Sequence, residues 1–211
     1  MNLKTFLNQK SKLKQITLSG YEAHSLLAPP QRMKQLESSF KNKTTPKKAA
    51  VLIHLYPGEN DFLHFILIQR NSYVGVHSGQ ISFPGGKPEA LDANLWGTAL
   101  RESSEEVGLN GIDIHKLRSL TDVFIPPSNF LVSPFVSYSY EKPEFIPEKK
   151  EVDLILEIPL ANLLDHQQVL YKKLTTNYID EFEVPCYIFN EKVVWGATAM
   201  ILSELRILLL S

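Results

Sequence analysis

Glu102, Glu105 and Glu106 lie at i, i+3 and i+4 in a stretch of helical periodicity, so their carboxylates share one face across an arc of about 100°. Like charges that close repel unless a cation lies among them, and Arg101 alone cannot balance three. A divalent metal can. The competing reading is an ordinary solvated acidic face. Against it, the acidic residues crowd the C-terminal end of the helix, where they oppose the macrodipole. Function is one reason for a chain to accept such a local penalty. Upstream, Phe83-Pro84-Gly85-Gly86 reads as a turn whose glycines let backbone approach a ligand.

The helix that must carry these groups runs from about Ala93 to Val107, with Gly108 suited to a left-handed end. Trp96, Leu100, Ser103 and Val107 form a neighbouring stripe for packing. Ahead of it, Ala49–Tyr56 and Phe62–Gln69 read as strands joined by the loop 57–61, and Gly79–Phe83 as a short strand. After it, Leu120–Phe124 and Leu131–Tyr140 read as strands around the turn 126–129. Val152, Leu154, Leu156 and Ile158 alternate as a half-buried strand ending at Pro159, with one helical turn at Leu160–Asp165. Tyr187–Phe189 and Val193–Trp195 form a hairpin, and Ala197, Met200, Ile201, Leu205 and Leu208 mark a final helix whose apolar stripe Glu204 interrupts. Strands outnumbering helices, with helices before and after the later strands, predict a mixed β-sheet between helices, an α+β arrangement. Residues 1–47 read as a polar, helix-compatible N-terminal extension ending in a lysine-rich linker (Lys41, Lys43, Lys47, Lys48), and residues 48–211 as the main domain.

Composition excludes several classes. A chain of 211 residues, 44% hydrophobic and 21% charged, is long enough to bury about 70% of its unfolded surface. A net charge of −1 gives no electrostatic case for nucleic-acid binding. The single cysteine, Cys186, excludes an intrachain disulfide and a cysteine-rich zinc site; its flanks suggest a partly buried position at the start of a strand. No run approaches the ~18 apolar residues of a membrane span, and no secretory signal is evident at the start, so a cytoplasmic setting is expected.

The stretch 85–109 resembles the Nudix box. Gly86, Arg101, Glu102, Glu105, Glu106, Gly108 and Leu109 fall on its positions, and the Arg-Glu-x-x-Glu-Glu-x-Gly core is intact. Three departures stand out: Asp92 replaces the first glutamate, one extra residue separates it from Arg101, and Ser103 occupies an apolar position. Asp92 is therefore given no role. Further upstream, residues 67–86 resemble the extra motif of the coenzyme A pyrophosphatase branch through Arg70, Gly79 and Phe83–Gly86, although Gly75 stands where that motif has a second arginine. Residues 127–130 with Pro134, and 195–199, resemble the same branch.

This resemblance implies a Nudix-type α/β/α sandwich and metal-dependent hydrolysis of a diphosphate. The products from coenzyme A or its acyl derivatives would be 4′-phosphopantetheine, free or acylated, and adenosine 3′,5′-bisphosphate. It implies Mg²⁺ or Mn²⁺ on Glu102, Glu105 and Glu106, with Glu102 shared between metal binding and water activation. Arg101, i, i+4 from Glu105, would orient a carboxylate or form an ordinary helix ion pair. Arg70, His77, Gly85 and Gly86 are the candidate substrate contacts, Glu151 a candidate general base, and Phe130 a candidate surface for an adenine ring. A homodimer would follow from the resemblance alone. Two alternatives stay open: another nucleoside diphosphate derivative (ADP-ribose, NADH or a dinucleoside polyphosphate) as substrate, or a Nudix module that binds a nucleotide without cleaving it.

Overall fold

Strand β1 (Lys47–Pro57) organises the molecule because it is apolar on both faces. In the computed structural model, which describes residues 1–32, 45–71, 79–165, 169–176 and 179–211, its alternate side chains enter two separate cores. Ala50, Leu52 and Tyr56 face one layer, Ile53 and Leu55 the other. Strand β2 (Leu63–Arg70) splits the same way, with Ile66 and Ile68 against Leu63, Phe65 and Leu67. A sheet that reads apolar on both faces must be covered on both.

The main sheet runs β3-β2-β1-β7-β5, where β3 is Ile81–Ser82, β5 His115–Ser119 and β7 Phe130–Tyr138. Three further strands join it at its sides: β4 (Gly85–Gly86) on β1, β6 (Val123–Ile125) on β7, and β8 (Val152–Pro159) on β2. β1 and β7 are parallel, from Lys47 opposite Phe130 to Leu55 opposite Tyr138, while the other pairings are antiparallel. The sheet is mixed, as expected.

Helix α3 (Leu95–Val107) covers one face. The other is covered by α1 (Leu3–Gln15), α2 (Tyr21–Ser25), α4 (Leu160–Leu164) and α5 (Gly196–Leu210). Phe6, Leu13 and Leu27 from the N-terminal segment belong to the same core as Phe65, Leu205 and Leu208. A second, three-stranded sheet, β11-β10-β9, is formed by β9 (Leu170–Thr176), β10 (Ile179–Phe189) and β11 (Lys192–Trp195). No helix among the described residues is long and apolar enough to cross a membrane.

Three elements differ from the sequence reading. The strand expected over Leu120–Phe124 is interrupted: β5 ends at Ser119 and β6 starts at Val123, because Thr121 turns to bond Glu204 through its N–H (3.0 Å) and its hydroxyl (2.6 Å). Gly85-Gly86 is a short strand, with Val51 opposite Gly85 and Ala50 opposite Gly86. Cys186 is fully buried in the middle of β10, because that strand reaches back to Ile179. His77, Gly75, Lys41 and Lys43 lie outside the described residues, whereas Lys47 and Lys48, read as the end of the linker and the start of the main domain, open strand β1.

Candidate active site

Local chemistry sets both ends of α3. Asn94 caps its start by accepting from the N–H of Gly97 at 3.0 Å. Gly108, at φ 70°, ends it with a bond from its N–H to the Ser104 carbonyl. The last carbonyls are not left bare. Ile146 donates its N–H to Val107 and Glu148 to Glu106, each at 2.9 Å. Ser103, which departs from the apolar pattern, is fully buried; its hydroxyl donates to the Ala99 carbonyl one turn earlier at 2.7 Å, so it brings no unsatisfied group into the core.

Arg101 is a hub of the site. Its guanidinium reaches Asp92 (3.0 and 3.2 Å), Glu105 (2.8 Å), Glu102 (3.1 Å) and the Lys87 carbonyl (2.9 Å). Asp92 also accepts from the Thr98 hydroxyl and the Glu89 N–H, both at 2.9 Å. Those bonds, led by the one from Arg101, hold its carboxyl well below the usual range. Sequence reasoning gave Asp92 no role because the box spacing was broken there. Its place three residues before the helix begins was the available signal, since a carboxylate there can reach back to both Thr98 and Arg101.

The three glutamates separate by environment. Glu105 is more than half exposed and held by Arg101. Glu106 is 1% exposed: its Oε2 accepts the Gly85 N–H at 2.8 Å, and its Oε1 takes Arg70 at 3.2 Å. Burial pushes its carboxyl up to about 7; Glu102 and Glu151 add to that rise, while Gly85 and Arg70 oppose it. Glu102 is also raised, chiefly by burial against the opposing pull of Arg101, with Glu105 and Glu151 contributing. Glu151 is brought to this end because its carbonyl accepts the Asn71 N–H at 2.9 Å, next to Arg70 at the end of β2. Arg70, expected as a phosphate contact, is directed at Glu106.

Close approach explains the glycine pair. A Cβ on Gly85, whose φ is 150°, would sit 2.2 Å from the Ala50 carbonyl oxygen; one on Gly86 would sit 2.3 Å from Oε1 of Glu102. The pair lets strand and carboxylates meet.

No three acidic, histidine or cysteine side chains among the described residues form a ready metal cage. The donor chemistry nevertheless suits a hard divalent cation. Glu102 raises the proton affinity of Glu106, Glu105 raises that of Glu102, Glu151 raises both, and a cation among these oxygens would remove that repulsion. Beside Gly85, Gly86 and Arg70 opens a cavity of about 480 Å³, walled by Phe83, Ile125, Phe130 and Trp195. Phe130 lies at its edge with the Lys87 ammonium 5.5 Å from its ring centre.

Residues 46–175 match the family model described as the NUDIX domain. The chain is 30% identical over 184 residues to the mouse protein named mitochondrial coenzyme A diphosphatase NUDT8, covering 86% of this chain and 87% of that protein. It is 34% identical over 168 residues to Nudix hydrolase 15, mitochondrial, of Arabidopsis thaliana, covering 74% of this chain but only 56% of the plant protein. Among solved structures, a MutT/nudix family protein from Enterococcus faecalis aligns with a TM-score of 0.53 at 14% identity, over 96% of this chain and 74% of that one.

Proposed function

Since this chain belongs to the Nudix family, we propose that it hydrolyses the diphosphate bond of coenzyme A or acyl-coenzyme A, giving 4′-phosphopantetheine or its acyl form and adenosine 3′,5′-bisphosphate. The observation that carries this reading is the Arg101–Glu106 constellation set against Gly85-Gly86 at the mouth of a largely apolar cavity. The similarity to a protein named for coenzyme A cleavage, over most of both chains, supports the substrate class.

Glu102, Glu105 and Glu106 are the proposed ligands of Mg²⁺ or Mn²⁺, which when bound would neutralise phosphoanhydride oxygens and acidify a water. The chain's own residues then divide the work. Arg101, braced by Asp92 and the Lys87 carbonyl, holds Glu102 by Oε1. The other oxygen, Oε2, is the proposed acceptor of the water's proton, its basicity increased by burial. Arg70 and the Gly85 N–H fix Glu106 from both sides. Glu151 keeps the local field negative, which favours cation capture.

Incubation of the protein with coenzyme A and Mg²⁺ or Mn²⁺ should yield both products by chromatography. Intact coenzyme A beside rapid turnover of ADP-ribose, NADH or a dinucleoside polyphosphate would reassign the substrate. Tight nucleotide binding without products over a long incubation would make the chain a binding module.

A further inference from the structure

Glu151 raises the proton affinity of both Glu102 and Glu106, yet it lies outside α3. Among the described residues no lysine, arginine or histidine forms an ion pair with its carboxylate. Where that carboxylate stands is therefore decided by the backbone of the turn 148–151.

The turn is strapped on two sides. Toward α3, Glu148 donates its N–H to the Glu106 carbonyl at 2.9 Å. The Glu148 carbonyl accepts the N–H groups of Glu151 and Val152, each at 2.9 Å, and its Oε1 accepts the Lys150 N–H at 3.1 Å. Toward β2 the turn is held by Asn71. The Asn71 N–H donates to the Glu151 carbonyl at 2.9 Å, and its side-chain Nδ2 donates to the Lys149 carbonyl at 2.8 Å.

The pairing of β8 shows why such a hold is needed. Its register with β2 is regular from Pro159 to Leu154 and then slips: Gln69 faces Leu154, but Arg70 faces Val152, which leaves Asp153 as an extra residue. A bulge of this kind reverses the faces taken by the side chains beyond it. Leu156 and Ile158 enter the core away from α3, whereas Val152 enters the α3 core. The start of β8 is thus turned toward the carboxylates while its ladder becomes irregular, and Asn71 pins it there.

We propose that Asn71 is a positioning residue: by holding the Lys149 and Glu151 carbonyls it keeps the Glu151 carboxylate beside Glu102 and Glu106, where it strengthens the binding of a divalent cation. This rests on the reading of the α3 glutamates as metal ligands. Asparagine suits the place because its amide adds a second donor to its own N–H, both aimed at one short turn; alanine keeps only the second. Asn71 touches neither metal nor substrate and acts only through Glu151.

The test is Mn²⁺ binding to the full chain, followed by electron paramagnetic resonance, for wild type, Asn71→Ala, Glu151→Gln and the double variant. Glu151→Gln should weaken Mn²⁺ binding at least ~10-fold and Asn71→Ala about threefold to tenfold. In the Glu151→Gln background the Asn71 change should add nothing. Hydrogen exchange of Asn71→Ala should quicken over 148–152 and stay unchanged over Leu95–Val107, which separates release of the turn from a general loss of folding. Wild-type Mn²⁺ affinity in Asn71→Ala, or a full further loss in the double variant, would overturn the role. Mn²⁺ bound with the expected coupling while coenzyme A stays intact would leave Asn71 its role and remove the diphosphatase reading. No Mn²⁺ bound by wild type would remove both.

Discussion

Two glutamates, Glu106 on α3 and Glu204 on α5, are each 1% exposed, and the protein treats them in opposite ways. Glu204 accepts four bonds: from the Gly20 N–H (3.0 Å), the Thr121 N–H (3.0 Å), the Thr121 hydroxyl (2.6 Å) and Nε2 of His24 (3.3 Å). Burial alone would push its carboxyl up; the His24 and Thr121 bonds outweigh that and bring it below the usual range. Glu106 has the Gly85 N–H and Arg70, faces two other carboxylates, and is pushed up to about 7. One carboxylate is fully satisfied and ties α2, the β5–β6 connection and α5 together. The other is left short of positive charge, an arrangement that makes sense where a cation is to be bound.

The sharpest way to break this contrast is to neutralise each group in turn. Glu106→Gln removes an under-compensated buried charge, so thermal stability should stay level or rise while diphosphatase turnover falls by at least ~100-fold, about 2.7 kcal/mol in the barrier. Glu105→Gln should cost activity on a similar scale if it too holds the metal. Turnover near wild type for Glu106→Gln would remove that residue from the chemistry. Glu204→Gln should do the reverse. Its amide group would face donors at Gly20 or Thr121, and stability should drop by about 3 kcal/mol, or roughly 6–12 °C in Tm, with kcat of the folded enzyme preserved. Equal Tm values for the two variants would mean that the two sites do not differ as described.

A third buried group extends the comparison to pH. His54 on β1 is 1% exposed, and its surroundings define its tautomer. The Ser139 hydroxyl donates to the Glu141 carbonyl at 2.6 Å, so it accepts from Nε2 of His54 at 3.1 Å; Nδ1, 2.9 Å from the Ser137 hydroxyl, then accepts. That neutral ring is fully bonded, and burial lowers its pKa to about 3. The unfolded chain takes up this proton near pH 6.5 and the folded chain does not, so stability is full above 6.5 and is lost as pH falls toward 3. At pH 5 the loss should be about 2 kcal/mol. Glu204 contributes its own acid loss only lower, below the ordinary carboxylate range. Glu106, raised to about 7, takes up a proton on folding in the same window and opposes the His54 loss, so in chemical denaturation at pH 7, 6 and 5 stability should rise more steeply toward pH 5 in His54→Gln than in wild type. An unchanged slope in that variant would assign the effect elsewhere.

What was legible in the sequence was local. The apolar, β-rich runs of β1 and β2, the periodicity of α3 and the Gly108 stop depend on neighbours a few residues apart, and they appear where the pattern puts them. Strand β9 was not legible. Leu170–Thr176 carries two lysines and leaves Leu170 and Tyr171 exposed, so its strand character comes from pairing with β10 rather than from any apolar rhythm. The anchoring of Glu204 was invisible for a similar reason, since its partners lie 83 to 184 residues away. Within the site, three like charges announced the need for a cation, but not that Arg70, 36 residues upstream, would take one oxygen of Glu106.

Asp92 offers the smallest and most discriminating test, because it touches no candidate ligand directly and acts through Arg101. Its two oxygens hold Arg101 Nε and Nη2 from one side, leaving Nη1 for Glu105, while Nη2 is shared among Asp92, the Lys87 carbonyl and Glu102. Asp92→Asn keeps an acceptor for Arg101, Thr98 or Glu89 but loses the charge and one of the two paired bonds. Arg101 would then be drawn toward the glutamates, binding Glu102 more tightly and lowering its capacity to accept a proton. The expected result is about a tenfold fall in kcat with little change in KM, since the substrate contacts are untouched. The pH at which kcat rises should also move downward, because a more strongly paired Glu102 ionises at lower pH. A general loss of folding would move neither quantity in this pattern. Wild-type kcat and an unmoved pH profile would return Asp92 to a purely structural part and leave Arg101 able to orient itself.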